Sequence, residues 1–341
     1  MSYKGFSSLC QESWIRQNRI IHNGQWSGVS LLGSDTHGSS FNVIADSLIL
    51  DNNVPMFDDN GTPIDKRDIG IAVEGPGATN NQILRNTLSG SGTDGIQVFP
   101  GCSQGYNVSG GCPGTVANDN NLIANNTVTA NGFGLPLNGA LGDGIALLSM
   151  GPPVVKIPTH NTVRNNTTNG NQRNGISLGG GDGQELSMDA WTTGGENYGC
   201  LISADPDNPV VDTPNLCGVT DNTVSDNSSA GNGIDGIYIG PKSDRNTVFG
   251  NTTDRNGKDG IGIGLAVRYG EGQLPVVDAA GHLVTVPGSG AQDNRLDHNA
   301  GRGSARWDGA DETPGRGANR WGTRPSRHHQ PALRALTAGM S

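Results

Sequence analysis

The chain has 341 residues and a formal charge of −10, with 54 glycines and only 5% aromatic and 16% charged residues. Residues 1–301 hold 15 Lys and Arg against 29 Asp and Glu, a balance that repels a phosphate backbone and argues against nucleic acid as a partner. No stretch is long and apolar enough to span a bilayer, so no membrane insertion is expected.

In chain order, residues 1–17 lack the apolar run of about 7–15 residues that marks a signal peptide, and the expectation is that the authentic N-terminus lies upstream. A repeating phrase then begins, Asn-x-apolar-x-x-Asn followed by Asp-Gly-Ile-x-apolar. Copies start at Asn18, Asn42, Asn81, Asn121, Asn161, Asn222, Asn246 and Asn294. Two consecutive copies, at Asn222 and Asn246, have a period of 24 residues. Self-similarity at that spacing is the signature of a solenoid.

Each unit offers three apolar-x-apolar pairs separated by Gly, Asn or Asp, the period of strands and too interrupted for helices. In the unit at Ile237 the first strand is Ile237 to Ile239, the second centres on Val248 and the third lies near Thr252. Asn251 is assigned to the corner between the second and third strands, in left-handed backbone. Stacking predicts one internal ladder of Asn23, Asn86, Asn126, Asn166, Asn227, Asn251 and Asn299, broken only at Ser47.

These rungs, their asparagine ladder and the phrases Asn-Thr-Val and Asp-Gly-Ile resemble the pectin-lyase-like superfamily, in its secreted bacterial form. The resemblance covers about Asn18 to Asn299. It implies an all-β, single-stranded right-handed parallel β-helix of about eight three-strand rungs, each adding roughly 4.8 Å. One domain is expected over residues 1–321, with a disordered tail over 322–341. The superfamily includes polysaccharide lyases, glycoside hydrolases, uronate epimerases, phage tailspikes and proteins without known chemistry, so fold narrows substrate class more than reaction.

Large insertions at 99–120, 148–160, 179–220 and 264–292 leave the corner after the Gly-Ile strand, and smaller ones at 53–67 and 132–142 leave the corner before it. Insertions on one face of a repeat scaffold mark a binding surface, so the first strand's face is the expected floor of a groove. Alternation places Ala72, Gln97, Ala146, Ser177, Tyr238 and Gly262 on that floor. Asp94, Asp143, Asn174, Asp235 and Asp259 line its edge.

Those aspartates have two readings. Carboxylates on adjacent rungs approach the roughly 5 Å spacing of retaining glycosidases, and Thr93-Asp94-Gly95-Ile96 looks like part of the motif of polygalacturonase-type hydrolases. A recurring Asp-Gly is also a corner, and the paired aspartates, Gly-His-Gly and Arg-x-Lys of that hydrolase family are missing downstream. An epimerase is disfavoured, since Asp205-Pro206-Asp207 lacks the His of Asp-Pro-His-Asp. For β-elimination the base and cation would come from Lys156 and His160 in one loop or Arg268, Tyr269 and His282 in another, with Arg268 and Tyr269 preferred.

Stacked carboxylates raise one another's pKa unless a cation neutralises them, and calcium suits such an edge. Asp182, Asp205 and Asp207, in the longest insertion, are its candidate ligands; solvated loop acids are the alternative. Trp191 and Tyr198, in the same insertion, either stack on a sugar or anchor the loop. Residues 275–286 read as a β-hairpin, and Trp307 and Trp321 as covers for the last rung.

Cys102 and Cys112, and Cys200 and Cys217, bracket loops and are expected to form two local disulfides, leaving Cys10 free or intermolecular. Disulfides imply an extracellular protein. The functional expectation is binding, or cleavage by lyase or hydrolase chemistry, of an extended extracellular polysaccharide. A non-catalytic structural or adhesive solenoid is the alternative. Copper-site maturation has little support, because seven His and five Met form no ligand cluster. Oligomeric state is not legible.

Overall fold

The computed structural model describes residues 6–8, 12–22, 27–33, 38–52, 56–57, 63–65, 69–75, 77–99, 118–133, 142–148, 157–179, 218–240, 243–263, 273–277, 283–287, 291–311, 319–322 and 328–329. Their strands form three parallel sheets of ten, nine and eight strands, and successive turns of the chain visit the first, second and third sheet in rotation. This is a single-stranded parallel β-helix. In the unit with the cleanest repeat the three strands are Ile237–Ile239, Thr247–Phe249 and Thr252–Asp254, as the apolar pairs predict.

Register is continuous because the interior accepts one kind of side chain per column. In the first sheet Ile71, Ile96, Ile145, Ile176, Ile237 and Ile261 stack in one column, and Val73, Val98, Leu147, Leu178, Ile239 and Ile263 in the next. All belong to one core cluster running the length of the coil. A one-residue slip would turn every one of them outward.

Corners are held by more than the single ladder the sequence suggests. Asn42, Asn81, Asn121, Asn161, Asn222, Asn246, Asn294 and Asn319 form one, each Oδ1 accepting the backbone N–H of the rung before at 2.8–3.1 Å. Ser91, Asn131, Asn171, Asn232 and Asn256 form another. The expected ladder is present from Asn86 to Asn299, with a correction at Ser47. Among the described residues it begins at Asn18, whose N–H donates to Ser47 Oγ at 3.2 Å, while Asn23 lies outside the described residues. Ser47 therefore continues the ladder, its own N–H donating to Asn86 Oδ1 at 3.0 Å.

Left-handed backbone also sits one residue earlier than expected. Asp46, Arg85, Asn125, Asn165, Asp226, Gly250 and His298 carry φ of 51–66°, each immediately before the ladder residue. The bend must precede the amide so that the amide itself points inward to its carbonyl and its neighbour.

Six connections are longer than the tight corners. Those between Phe99 and Leu122, Leu147 and Thr162, Leu178 and Thr223, and Ile263 and Arg295 all join a first-sheet strand to a second-sheet strand. The other two, ending at Ile69 and Ile145, join the third sheet to the first. The last long connection contains the expected hairpin, Gln273–Val277 antiparallel to Leu283–Pro287. The coil also runs past residue 321, where the sequence placed its end: His328–His329 pairs in parallel with Gly309 and Ala310. Trp321 is partly buried against the core at the last described second-sheet strand, in keeping with a covering role.

Candidate functional site

The outward row of the first sheet runs in register through Ser30, Ala72, Gln97, Ala146, Ser177, Tyr238, Gly262 and Ala310. The sequence places these residues on an open floor. Their line is as expected, but Gln97 and Tyr238 are 1% exposed and Ser177 is fully buried. The same face carries a small apolar cluster of its own, Phe99, Ala146 and Leu148, separate from the interior of the coil. Burial leaves a polar atom short of partners: Gln97 Nε2 makes no hydrogen bond among the described residues.

Beside this row stands a fourth ladder, of acids. Asp94 Oδ1 accepts the N–H groups of Gly142 and Asp143 at 2.8 Å, and Asp143 Oδ1 accepts Asn174 N–H at 2.9 Å. Asn174 Oδ1 accepts from Asp235, Asp235 Oδ1 from Asp259, and Asp259 Oδ1 from Trp307, at 2.8–3.1 Å. Asp94, Asp143, Asn174, Asp235 and Asp259 are all 0% exposed. Adjacent rungs thus bring Asp94 to Asp143 and Asp235 to Asp259, as the repeat predicts, and each also performs the corner's structural work.

The ladder leans onto the outward row. A Cβ at Gly262 would lie 2.5 Å from Asp235 Oδ2, so the carboxylate fills the space that a side chain would need there. Ser177 and Asn174 face the Asp143 carboxyl one rung earlier.

The residue preceding each ladder member forms a further stacked column. Arg173 N–H donates to Gly142 O, Ile234 to Arg173, Lys258 to Ile234 and Arg306 to Lys258, at 2.7–3.0 Å. Two arginines in this column reach the carboxylate one rung back. Arg306 Nε donates to Asp259 Oδ1 at 3.0 Å and its Nη2 to Oδ2. Arg173 Nε lies 3.8 Å from Asp143 Oδ1, with the arginine 1% exposed. At these two rungs the chain itself places a cation against the carboxylate.

Burial, and next the Asp143 carboxylate, push Asp94 up to about 7. Asp143 is also raised by burial, with Arg173 the main opposing influence. Glu74 is a third desolvated acid and was not singled out in the sequence. It follows Ile71, Ala72 and Val73 on the same strand, so alternation puts it on the outer face, opposite Phe99 in register. Glu74 keeps some surface as a residue, yet its carboxyl is desolvated and raised to about 7.

His160 is exposed at a left-handed corner before the second sheet, its Nδ1 2.8 Å from Thr159 Oγ1, away from the acid ladder. Arg268, Tyr269, Trp191, Tyr198, Asp182, Asp205 and Asp207 lie outside the described residues, as do Lys156, His282 and all five cysteines. Among the described residues no group of three or more His, Cys, Asp or Glu could hold a metal ion.

No protein-family model matches the chain, and no curated protein does. Solved structures do. A mutant tailspike protein of E. coli bacteriophage HK620 in complex with pentasaccharide matches with a TM-score of 0.37 at 12% identity, over 91% of this chain. The periplasmic alginate epimerase AlgG matches with a TM-score of 0.37 at 11% identity, over 86% of this chain. The chain spans 38% of the tailspike and 62% of the epimerase. Among the described residues no helix is long and apolar enough to cross a membrane.

Proposed function

We propose that the outer face of the first sheet, with the four long connections that leave it, binds an extended extracellular polysaccharide. The observation that carries this reading is the buried Gln97 Nε2, without a partner among the described residues, on a sheet face that all four long connections leave. Buried polar atoms are costly unless bonded, and sugar hydroxyls can both donate and accept at such positions. Tyr238, Asp94 and Asp143 extend the same polar strip, and Trp191 and Tyr198 are the proposed stacking residues.

If bonds are cleaved, Arg268 and Tyr269 are the proposed cation and base, working against Asp235 and Asp259. Calcium held by Asp182, Asp205 and Asp207 is the proposed bridge to an anionic sugar. A non-catalytic adhesive solenoid is the second reading, favoured because the ladder carboxylates are already committed to backbone N–H groups and to Arg306.

The test is a polysaccharide panel, with calcium or chelator, scored separately for binding, unsaturated ends and reducing ends. Binding is expected, and Gln97→Ala with Ser177→Ala should weaken it about tenfold. Unsaturated ends identify a lyase, saturated reducing ends a hydrolase, and binding without products the adhesive reading. A panel with no bound glycan overturns the proposal.

A further inference from the structure

Charge along the acid ladder follows a rule that one rung breaks. The cover position of each ladder residue is the residue one rung on and one position back. Asp259 is covered by Arg306 and Asp143 by Arg173. The equivalent position over Asn174, which needs no counter-charge, is Ile234, and that over Asp235 is Lys258. Over Asp94 the position is Gly142.

A side chain at Gly142 would be strained and crowded. The φ of Gly142 is 129°, and a Cβ there would lie 3.3 Å from Arg173 Cγ and 3.4 Å from Cδ. The stem of Arg173 occupies that place on its way to Asp143, so one guanidinium serves two buried carboxyls. Asp94 Oδ2 accepts no hydrogen bond among the described residues, while Ser177 and Asn174 face the Asp143 carboxyl. On the other side the ladder position of the preceding rung is Ile69, apolar and 7% exposed. The described charged groups facing Asp94 are Asp143 and Arg173 alone, and its uncharged neighbours are Gly142 and the backbone of Asp143.

We infer that Asp94, Asp143 and Arg173 form a one-proton site that makes the joint between the rungs of Ile96–Phe99 and Ile145–Leu147 sensitive to pH. Two acids and one guanidinium leave a buried charge of −1, and a proton on the pair cancels it. The pair's affinity for that proton exceeds that of an unfolded aspartate, consistent with the elevated values of both acids. The joint is therefore firmest below an aspartate's ordinary range of about 4, and it weakens as pH rises toward about 7, where Asp94 ionises. Asn174 shows that the fold accepts the neutral amide at this ladder position with the same backbone bond.

The experiment is amide hydrogen exchange on the full chain from pH 5 to 8, corrected for intrinsic exchange, read at Gly142 and Asp143, whose N–H groups donate to Asp94. Their protection should fall by up to about tenfold per pH unit before levelling above about pH 7. In Asp94→Asn the profile should be flat. Asn174→Asp, with Ile234 at its cover position, should create the same dependence at the Asp235 amide, and adding Ile234→Arg should remove it. A 13C titration of the Asp94 carboxyl in the unaltered chain stands independently of any variant. A midpoint near 4, parallel profiles for the unaltered chain and Asp94→Asn, or no new dependence in Asn174→Asp would each overturn the inference.

Discussion

Asn126 shows how much one buried amide holds. Its Oδ1 accepts Asn86 N–H at 2.9 Å and Asn86 Nδ2 at 3.1 Å, while its Nδ2 donates to Ile83 O at 2.9 Å and Asn166 Oδ1 at 3.0 Å. Alanine would leave these groups buried and unmet, at about 1–3 kcal/mol for each one that water cannot reach. Asn126→Ala is therefore expected to destabilise the coil by about 3–5 kcal/mol, read as a lower urea midpoint. Serine should cost less than alanine. At Ser47 a hydroxyl already accepts a backbone N–H of the preceding rung and donates to Ala45 O at 3.0 Å. If alanine and serine cost the same, the ladder bonds do not carry the energy assigned to them.

Between neighbouring rungs the decisive unit is a carboxylate with its cover. Asp259 is fully buried and held by Arg306, so Arg306→Met should cost about 3–5 kcal/mol by leaving an uncompensated charge. Asp259→Asn added to it should recover most of that loss, since an amide with an apolar residue at its cover position already occurs at Asn174 and Ile234. A double variant no more stable than Arg306→Met in urea unfolding would remove the charge rule. This rule explains what the sequence did and did not disclose. The phrase Asn-Thr-Val with Asp-Gly-Ile exposes strands, corners and the acid column, because strand alternation and corner chemistry are local. Arg173 and Glu74 escaped notice because they stand outside the phrase. Aligning Arg173, Ile234, Lys258 and Arg306 against the ladder, shifted by one rung, would have found the covers. Burial of Gln97, Ser177 and Tyr238 was not legible, since alternation tells which way a side chain points and says nothing of what lies over it.

At the scale of the whole molecule, stability is a sum over rungs and their neighbours, so length is negotiable while register is not. The unit from Asp235 to Lys258 tests this. All four ladders step by 24 residues across it, from Asn222 to Asn246, Asn227 to Asn251, Asn232 to Asn256 and Asp235 to Asp259. Removing residues 235–258 joins Ile234 to Asp259 and lets Ile176–Leu178 meet Ile261–Ile263 in the register now held by Ile237–Ile239. Thr223–Ser225 would meet Arg295–Asp297, and Ser228–Ala230 would meet Ala300–Arg302. The junction also respects charge: Asn174 keeps Ile234 at its cover position, Asp259 keeps Arg306, and Asp235 leaves together with Lys258. The shortened chain should fold with unchanged circular dichroism per residue and a modestly lower urea midpoint. Removing only residues 235–246 shifts the remaining strands by half a unit, sets corner residues against strands and should prevent a cooperative fold. Equal loss of structure in both deletions would mean that the rungs are not the independent units their register implies.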